Sequence, residues 1–160
     1  MTDSTLQLGQ AAPDFALPAT NGETLSLHSL RGKNVVLYFY PKDNTPGCIL
    51  EGCGFRDHYE EFQQLNTVVL GVSRDSLKAH DKFKEKYKFP FELLADEEKQ
   101  LCAAYGTLKI KNMFGRQVNG INRSTFLIDK DGILRGEWRS VSSLKTGKHI
   151  QEVLAAIKEL

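Results

Sequence analysis

Two continuous apolar runs constrain this chain more than anything else in it. Val35 to Tyr40 (VVLYFY) and Val68 to Ser73 (VVLGVS) are aliphatic, β-branched or aromatic almost throughout. Runs of that length without polar alternation mark strands covered on both faces, as in the centre of a parallel sheet. Parallel neighbours need a long crossover, and the intervening residues supply one. Cys48, Gly52, Phe55, Tyr59 and Phe62 recur at three- and four-residue spacing, the apolar stripe of a helix. The reading is strand, helix, strand.

The remaining segments extend that unit. PDFALPATNGETLSL reads as a small amino-terminal hairpin turning at Asn21-Gly22. Residues 76–88 read as a charged surface helix starting near Ser76, residues 89–94 as a strand, and 97–106 as a short helix ending at Gly106. STFLIDKDGILRGEW reads as a hairpin around Asp131-Gly132, and 146–160 as an amphipathic helix with Ile150, Val153, Leu154 and Ile157 inward. This order predicts an α/β fold, a central mixed sheet covered by helices. The 160 residues fit a single domain over 1–160, with no repeat, linker or low-complexity tract.

Charge and composition exclude several functions. A formal charge of +1 without a basic stripe argues against a nucleic-acid partner. The amino terminus, MTDSTLQLGQAAPDF, has no basic stretch leading into an apolar run, and no segment is apolar over bilayer length, so a cytoplasmic location without membrane attachment is expected. Three cysteines are an odd number for a disulfide framework, and a domain of this size needs no staples. For a metal site, the nearest other soft ligand to Cys48 and Cys53 is His58, and no second Cys/His pair completes a tetrahedron. Thiol redox chemistry is the stronger reading.

The cysteines sit at a helix entry. Thr45 suits the N-cap, Pro46 the first helical position, and Cys48 then falls at N3. Unpaired N–H groups and the positive end of the helix dipole favour an anion there, so the thiol pKa is expected to fall. The competing reading makes Cys48 a small apolar residue packed at a helix start. Cys53 cannot pair with Cys48 in an intact helix, because five residues separate their Cα atoms by roughly 8.6 Å, whereas disulfides need less than about 7 Å. Gly52 and Gly54 flank Cys53. Glycine inside a helix costs on the order of 1 kcal/mol relative to alanine, so the segment can unwind locally; Gly54 can equally permit close packing. Glu51 stands where a Cys-x-x-Cys motif would place its second thiol. One nucleophile with a distant resolver is the arrangement expected when a sulfenic acid must be captured before further oxidation.

Pro41, Thr45 and Cys48 form the pattern Pro-x-x-x-Thr-x-x-Cys, which resembles the active-site motif of peroxiredoxins. The longer stretch YFYPKDNTPGC with EGCGFRD is similar to the peroxiredoxin Q, or bacterioferritin comigratory protein, branch. The likeness continues through APDFALPATNG, LGVSRDS, YGT and NRSTFLIDKDG, nearly the whole chain. The resemblance implies a thioredoxin-like fold and a thiol peroxidase of antioxidant function without metal, haem or flavin. It implies Cys48 as peroxidatic nucleophile, Cys53 as resolver through a Cys48–Cys53 disulfide, and Thr45 holding thiolate and hydroperoxide. Pro41 would shield the sulfur and Arg123 enter the pocket as a cationic donor, although by its position alone Arg123 reads as an exposed residue at a strand start. Glu51 matches a glutamate common in the branch. The implied substrates are hydrogen peroxide and organic hydroperoxides, the reductant thioredoxin, or glutaredoxin or glutathione, and the chain a monomer. Ile49, Leu108 and Ile110 depart from the branch's usual threonine, tryptophan and glutamate. Cys102 reads as a packed apolar residue, and His28, His58, His80 and His149 as exposed or capping residues. A redox sensor, and a one-cysteine peroxidase resolved by an external thiol, are the alternative readings.

Overall fold

The computed structural model describes residues 6–160, apart from the side chains at 111–113, 118 and 119. The reading of the amino terminus as lacking a leader falls partly on residues 1–5, outside the described residues. The two apolar runs form β3 (Asn34–Phe39) and β4 (Thr67–Ser73), paired in parallel with Val35 opposite Val68 and Phe39 opposite Val72. Before them, β1 (Ala16–Pro18) and β2 (Thr24–Ser26) make the expected amino-terminal hairpin, with Gly22 at φ 83°.

β5 (Glu92–Ala95) pairs in parallel with β4; β8 (Ser124–Ile128) pairs antiparallel with β3, and β9 (Leu134–Trp138) with β8. The mixed central sheet thus runs β5-β4-β3-β8-β9. Alternation along β3 divides the core. Val35, Leu37 and Phe39 join one cluster with Phe126, Ile128 and Tyr105, whereas Val36, Tyr38 and Tyr40 join the other with Phe55, Phe62 and Ile150. Both faces are covered, which is why neither run shows polar alternation.

The crossover is α1 (Pro46–Asp57) followed by α2 (Tyr59–Gln64), so the single helix expected from the 48–62 stripe is broken at His58. The stripe survives because Phe62 N donates to His58 O across the break. α3 (Leu77–Tyr87) starts as expected, with Ser76 Oγ accepting from Ala79 N. The strand expected at 89–94 begins only at Glu92; Phe89 and Phe91 are buried but precede it. α4 (Gln100–Ala104) and α5 (Thr146–Lys158) follow the expected positions, with Ile150, Val153, Leu154 and Ile157 buried.

A further hairpin, β6 (Leu108–Met113) with β7 (Arg116–Ile121), was not anticipated. Its two-residue turn puts Phe114 and Gly115 at φ 53° and 77°. A phenylalanine is an unusual residue for that conformation. Asn119-Gly120, a dipeptide that elsewhere signals a turn, instead lies inside β7 opposite Ile110 and Lys109. Ile110 is exposed, and Leu108 packs on the first cluster. Among the described residues, no helix is long and apolar enough to cross a membrane.

Candidate active site

β3 delivers the chain through Tyr40 and Pro41 to the start of α1. Thr45 has the extended conformation of an N-cap (φ −95°, ψ 151°) and its carbonyl accepts from Ile49 N at 2.8 Å, which makes Pro46 the first and Cys48 the third helical residue. Its side chain, however, makes no capping bond: Thr45 Oγ1 donates to Lys42 O at 2.8 Å. Thr45 therefore caps by conformation alone, and its one hydroxyl proton is engaged away from Cys48. Cys48 is 2% exposed and packs with Tyr38 and Phe55.

Arg123 reaches the thiol from the opposite end of the sequence. It immediately precedes β8, and the antiparallel register sets Ser124 opposite Phe39, so Arg123 emerges beside the end of β3. Its Nη2 donates to Cys48 Sγ at 3.4 Å and its Nη1 to Glu51 Oε1 at 2.6 Å. Its side chain is 13% exposed, in place of the exposed strand-start residue that its position alone suggested. Gly47 makes the approach feasible, since a Cβ there would lie 3.1 Å from Arg123 Nη2 and 2.8 Å from Ser143 Oγ.

Electrostatics divide the Arg123–Glu51 pair. Glu51 is almost wholly enclosed, and burial pushes its carboxyl up to about 7 against the pull of Arg123. For Arg123, burial acts downward, but Glu51 and Cys48 together hold the guanidinium above its ordinary value. Both values rise, which disfavours the charged carboxylate and favours the charged guanidinium; the carboxylate is the more enclosed, and its Oε2 has no hydrogen-bond partner among the described residues. Tyr38 Oη is likewise buried without a partner, and burial, followed by the field of Glu51 and Cys48, holds this phenol well above its ordinary value. Nothing in the sequence singled out Tyr38, which sits inside an apolar run whose alternate residues face opposite cores.

Cys53 lies in the same unbroken α1 as Cys48, half-buried against the second cluster, and burial pushes its thiol up. All three cysteines are free. The flanking glycines have a packing role. A Cβ at Gly52 would lie 2.5 Å from the Phe89 ring, and one at Gly54 2.5 Å from Thr146 Cγ2 and 2.6 Å from Ile150 Cδ1. Pro41 borders a cleft of about 490 Å³ with Lys42, Arg74 and Asp75, beyond the ends of β3 and β4.

Two histidine expectations are corrected. His80 and His149 are buried: His80 bonds Asp43 and the Leu94 carbonyl, and His149 Nε2 lies 2.8 Å from Thr125 Oγ1. Burial lowers His149 to about 4. Each lies on the inward face of a helix, His80 beside Asp81 and His149 beside Lys148, and those polar neighbours hid it from a reading based on adjacent residues. His58 does cap, with Nδ1 3.0 Å from Gly54 O.

The arrangement, a buried thiol in a helix's first turn with a guanidinium donor on its sulfur, suits stabilisation of a sulfur anion and of negative charge developing on a bound oxygen. Residues 8–137 match the AhpC/TSA family. The chain is 50% identical over 156 residues to peroxiredoxin Bcp of Bacillus subtilis, covering 98% of each chain. It is 45% identical over 158 residues to peroxiredoxin Bcp of Xanthomonas campestris pv. campestris, covering 99% of this chain and 97% of that one. Among solved structures, the Xanthomonas campestris bacterioferritin comigratory protein, studied for its alkyl peroxide reduction activity, superposes with a TM-score of 0.87 at 43% identity, covering 98% of both chains. Xylella fastidiosa peroxiredoxin Q gives a TM-score of 0.89 at 38% identity with the same coverage. The chain belongs to the AhpC/TSA family and, within it, to the peroxiredoxins of the Bcp or peroxiredoxin Q kind, with their thioredoxin-like fold.

Proposed function

We propose that this chain acts as one thioredoxin-like peroxidase domain over residues 1–160, reducing hydrogen peroxide and organic hydroperoxides with Cys48 as nucleophile. The observation that carries the assignment is the 3.4 Å contact from Arg123 Nη2 to the buried Cys48 Sγ. The thiolate attacks the terminal peroxide oxygen; the O–O bond breaks, the sulfur becomes a sulfenic acid, and the departing oxygen leaves as water or alcohol after taking a proton. Arg123 stabilises the sulfur and the oxygens as charge shifts between them. Pro41 shields the sulfur from water, and Thr45 joins the site once its hydroxyl turns from Lys42.

Cys53 then resolves the sulfenic acid. Its sulfur attacks Cys48 sulfur, the S–O bond breaks and water leaves with the thiol proton. This requires α1 to open, since in the intact helix the Cα atoms are roughly 8.6 Å apart. A disulfide formed in a disrupted helix is exposed and readily reduced by a dithiol partner, for which thioredoxin is the expected protein and glutaredoxin or glutathione the alternatives. The working form is a cytoplasmic monomer. Peptide mapping without reduction, after stoichiometric hydrogen peroxide, tests the assignment. A Cys48–Cys53 linkage within one chain is the expected result; oxidised Cys48 with free Cys53 would transfer resolution to an external thiol, and an unoxidised Cys48 would remove the peroxidase reading.

A further inference from the structure

The loop that leads into Cys48 is tied down by polar side chains that lie outside the peroxide site. Asp43, in the middle of that loop, is buried, and Tyr40 Oη donates to its Oδ1 at 2.6 Å. Asp43 Oδ2 lies 2.7 Å from Nδ1 of the fully buried His80, and His80 Nε2 lies 2.8 Å from Leu94 O. Asp43 N donates to Asp75 Oδ2 at 2.9 Å, an oxygen that also accepts from Ser73 Oγ at 2.5 Å.

Asp43, Asp75 and His80 bring three potential metal-ligating atoms within 4.8 Å of one another. The hydrogen bonds argue for a different role. The Leu94 carbonyl can only accept, so Nε2 carries a proton, and the close approach of Nδ1 to a carboxylate oxygen requires a second proton between them. Both ring nitrogens are thus engaged, and the cluster closes on itself. It joins α3, the end of β5 and the β4–α3 connection to one point of the nucleophile loop.

That point matters because of where α1 can yield. Gly52 is fitted against Phe89 and Gly54 against Thr146 and Ile150, so the turns around Cys53 are packed on both sides. If Cys48 is to travel to Cys53, the first turn must release, and the chain upstream of it is anchored at Asp43. We infer that the Asp43–His80 pair is a latch whose opening governs how fast the Cys48 sulfenic acid reaches Cys53. Closed, it holds Cys48 beside Arg123 for reaction with hydroperoxide; open, it frees the first turn. Asp43 and His80 are positioning residues, and the inference rests on the proposed roles of Cys48 and Cys53.

Removing one partner of a buried pair leaves the other enclosed and uncompensated, which favours the state in which it is hydrated. His80→Ala should therefore favour the open loop. Quenched-flow mixing of reduced chain with hydrogen peroxide, read by mass spectrometry, separates Cys48 oxidation, which depends on peroxide concentration, from disulfide formation, which does not. In His80→Ala the first rate constant should fall and the second rise, each by about tenfold, and less Cys48 should reach sulfinic acid at excess peroxide. General damage to the fold would lower both constants, so the opposed changes are the signature. Tyr40→Phe removes only the hydroxyl bond to Asp43 and should likewise lower the first constant and raise the second, by up to about threefold, which keeps the test decisive if His80→Ala does not fold. In Asp43→Asn the introduced amide can donate to Nδ1 and accept from Tyr40, so it should retain the wild-type rate of disulfide formation. Unchanged or slower disulfide formation in the first two variants, with the wild type forming its Cys48–Cys53 bond normally, would overturn the latch. Absence of that bond in the wild type would instead overturn the resolving role of Cys53, and the latch with it.

Discussion

Cys48 and Cys102 are both buried thiols in the first turn of a helix, yet their surroundings are opposed. Cys102 is 0% exposed, and its backbone N–H, with that of Leu101, is capped by the Asp96 carboxylate at 2.8 and 3.1 Å. Burial first, and then the bond and field of Asp96, push its thiol far above the ordinary range. Cys48 meets a guanidinium at 3.4 Å instead. A helix start and burial are common to both. The difference lies in the charged group that the rest of the fold brings to each sulfur: a carboxylate favours the neutral thiol and a guanidinium the anion.

The largest expected effect breaks that symmetry directly. Cys48→Ser should lower peroxidase kcat/KM by at least about a thousandfold, as loss of a nucleophile does, whereas Cys102→Ser should leave it within about twofold, since Asp96 already disfavours an anion there. A coupled peroxide-consumption assay on the two variants checks both, and comparable losses would void the contrast.

Next in size is the guanidinium itself. Arg123→Met should reduce kcat/KM by about a hundredfold to a thousandfold, the range for loss of a donor to developing charge. Alkylation of Cys48 by iodoacetamide should slow in parallel, and unchanged alkylation would assign Arg123 to the peroxide rather than the sulfur.

The smallest effect concerns Glu51, the carboxylate enclosed beside Cys48. Its folded value, about 7, lies above the ordinary 4.5, so the folded chain holds a proton that the unfolded chain releases between those values. This contribution is fully present below pH 4.5 and is lost as pH rises towards 7. Relative to Glu51→Gln, which cannot titrate, the wild type should lose on the order of 3 kcal/mol of unfolding free energy across that window. Denaturant titrations at pH 4.5 and 7.5 measure the difference, and parallel curves would mean that Arg123 keeps Glu51 ionised throughout.

Much of this molecule was legible before any coordinates. The two apolar runs identified the central strands, Asn21-Gly22 and Asp131-Gly132 marked real hairpins, and Pro46 with Thr45 placed Cys48 in a first turn. Each of those features is set by neighbours a few residues apart. The β6–β7 hairpin had no counterpart in the sequence reading, because its turn uses Phe114-Gly115, which lacks the usual Asn-Gly or Asp-Gly signal, while Asn119-Gly120 sits inside a strand. The break at His58 escaped because the 48–62 stripe continues across it. Resemblance raised Arg123 as a site residue, but neither composition nor spacing could put it within reach of Cys48.

Local sequence determined the elements and the identity of the nucleophile's immediate frame, since hydrophobic periodicity and capping act over one or two turns. The charge each thiol sees was settled by long-range pairing. Arg123 lies 75 residues from Cys48 and arrives there through the β3–β8 register, as His80 reaches Asp43 across 37 residues through the packing of α3. Coulombic and hydrogen-bond energies depend on distances of a few ångströms, and distances of that kind between remote segments exist only once the sheet has closed.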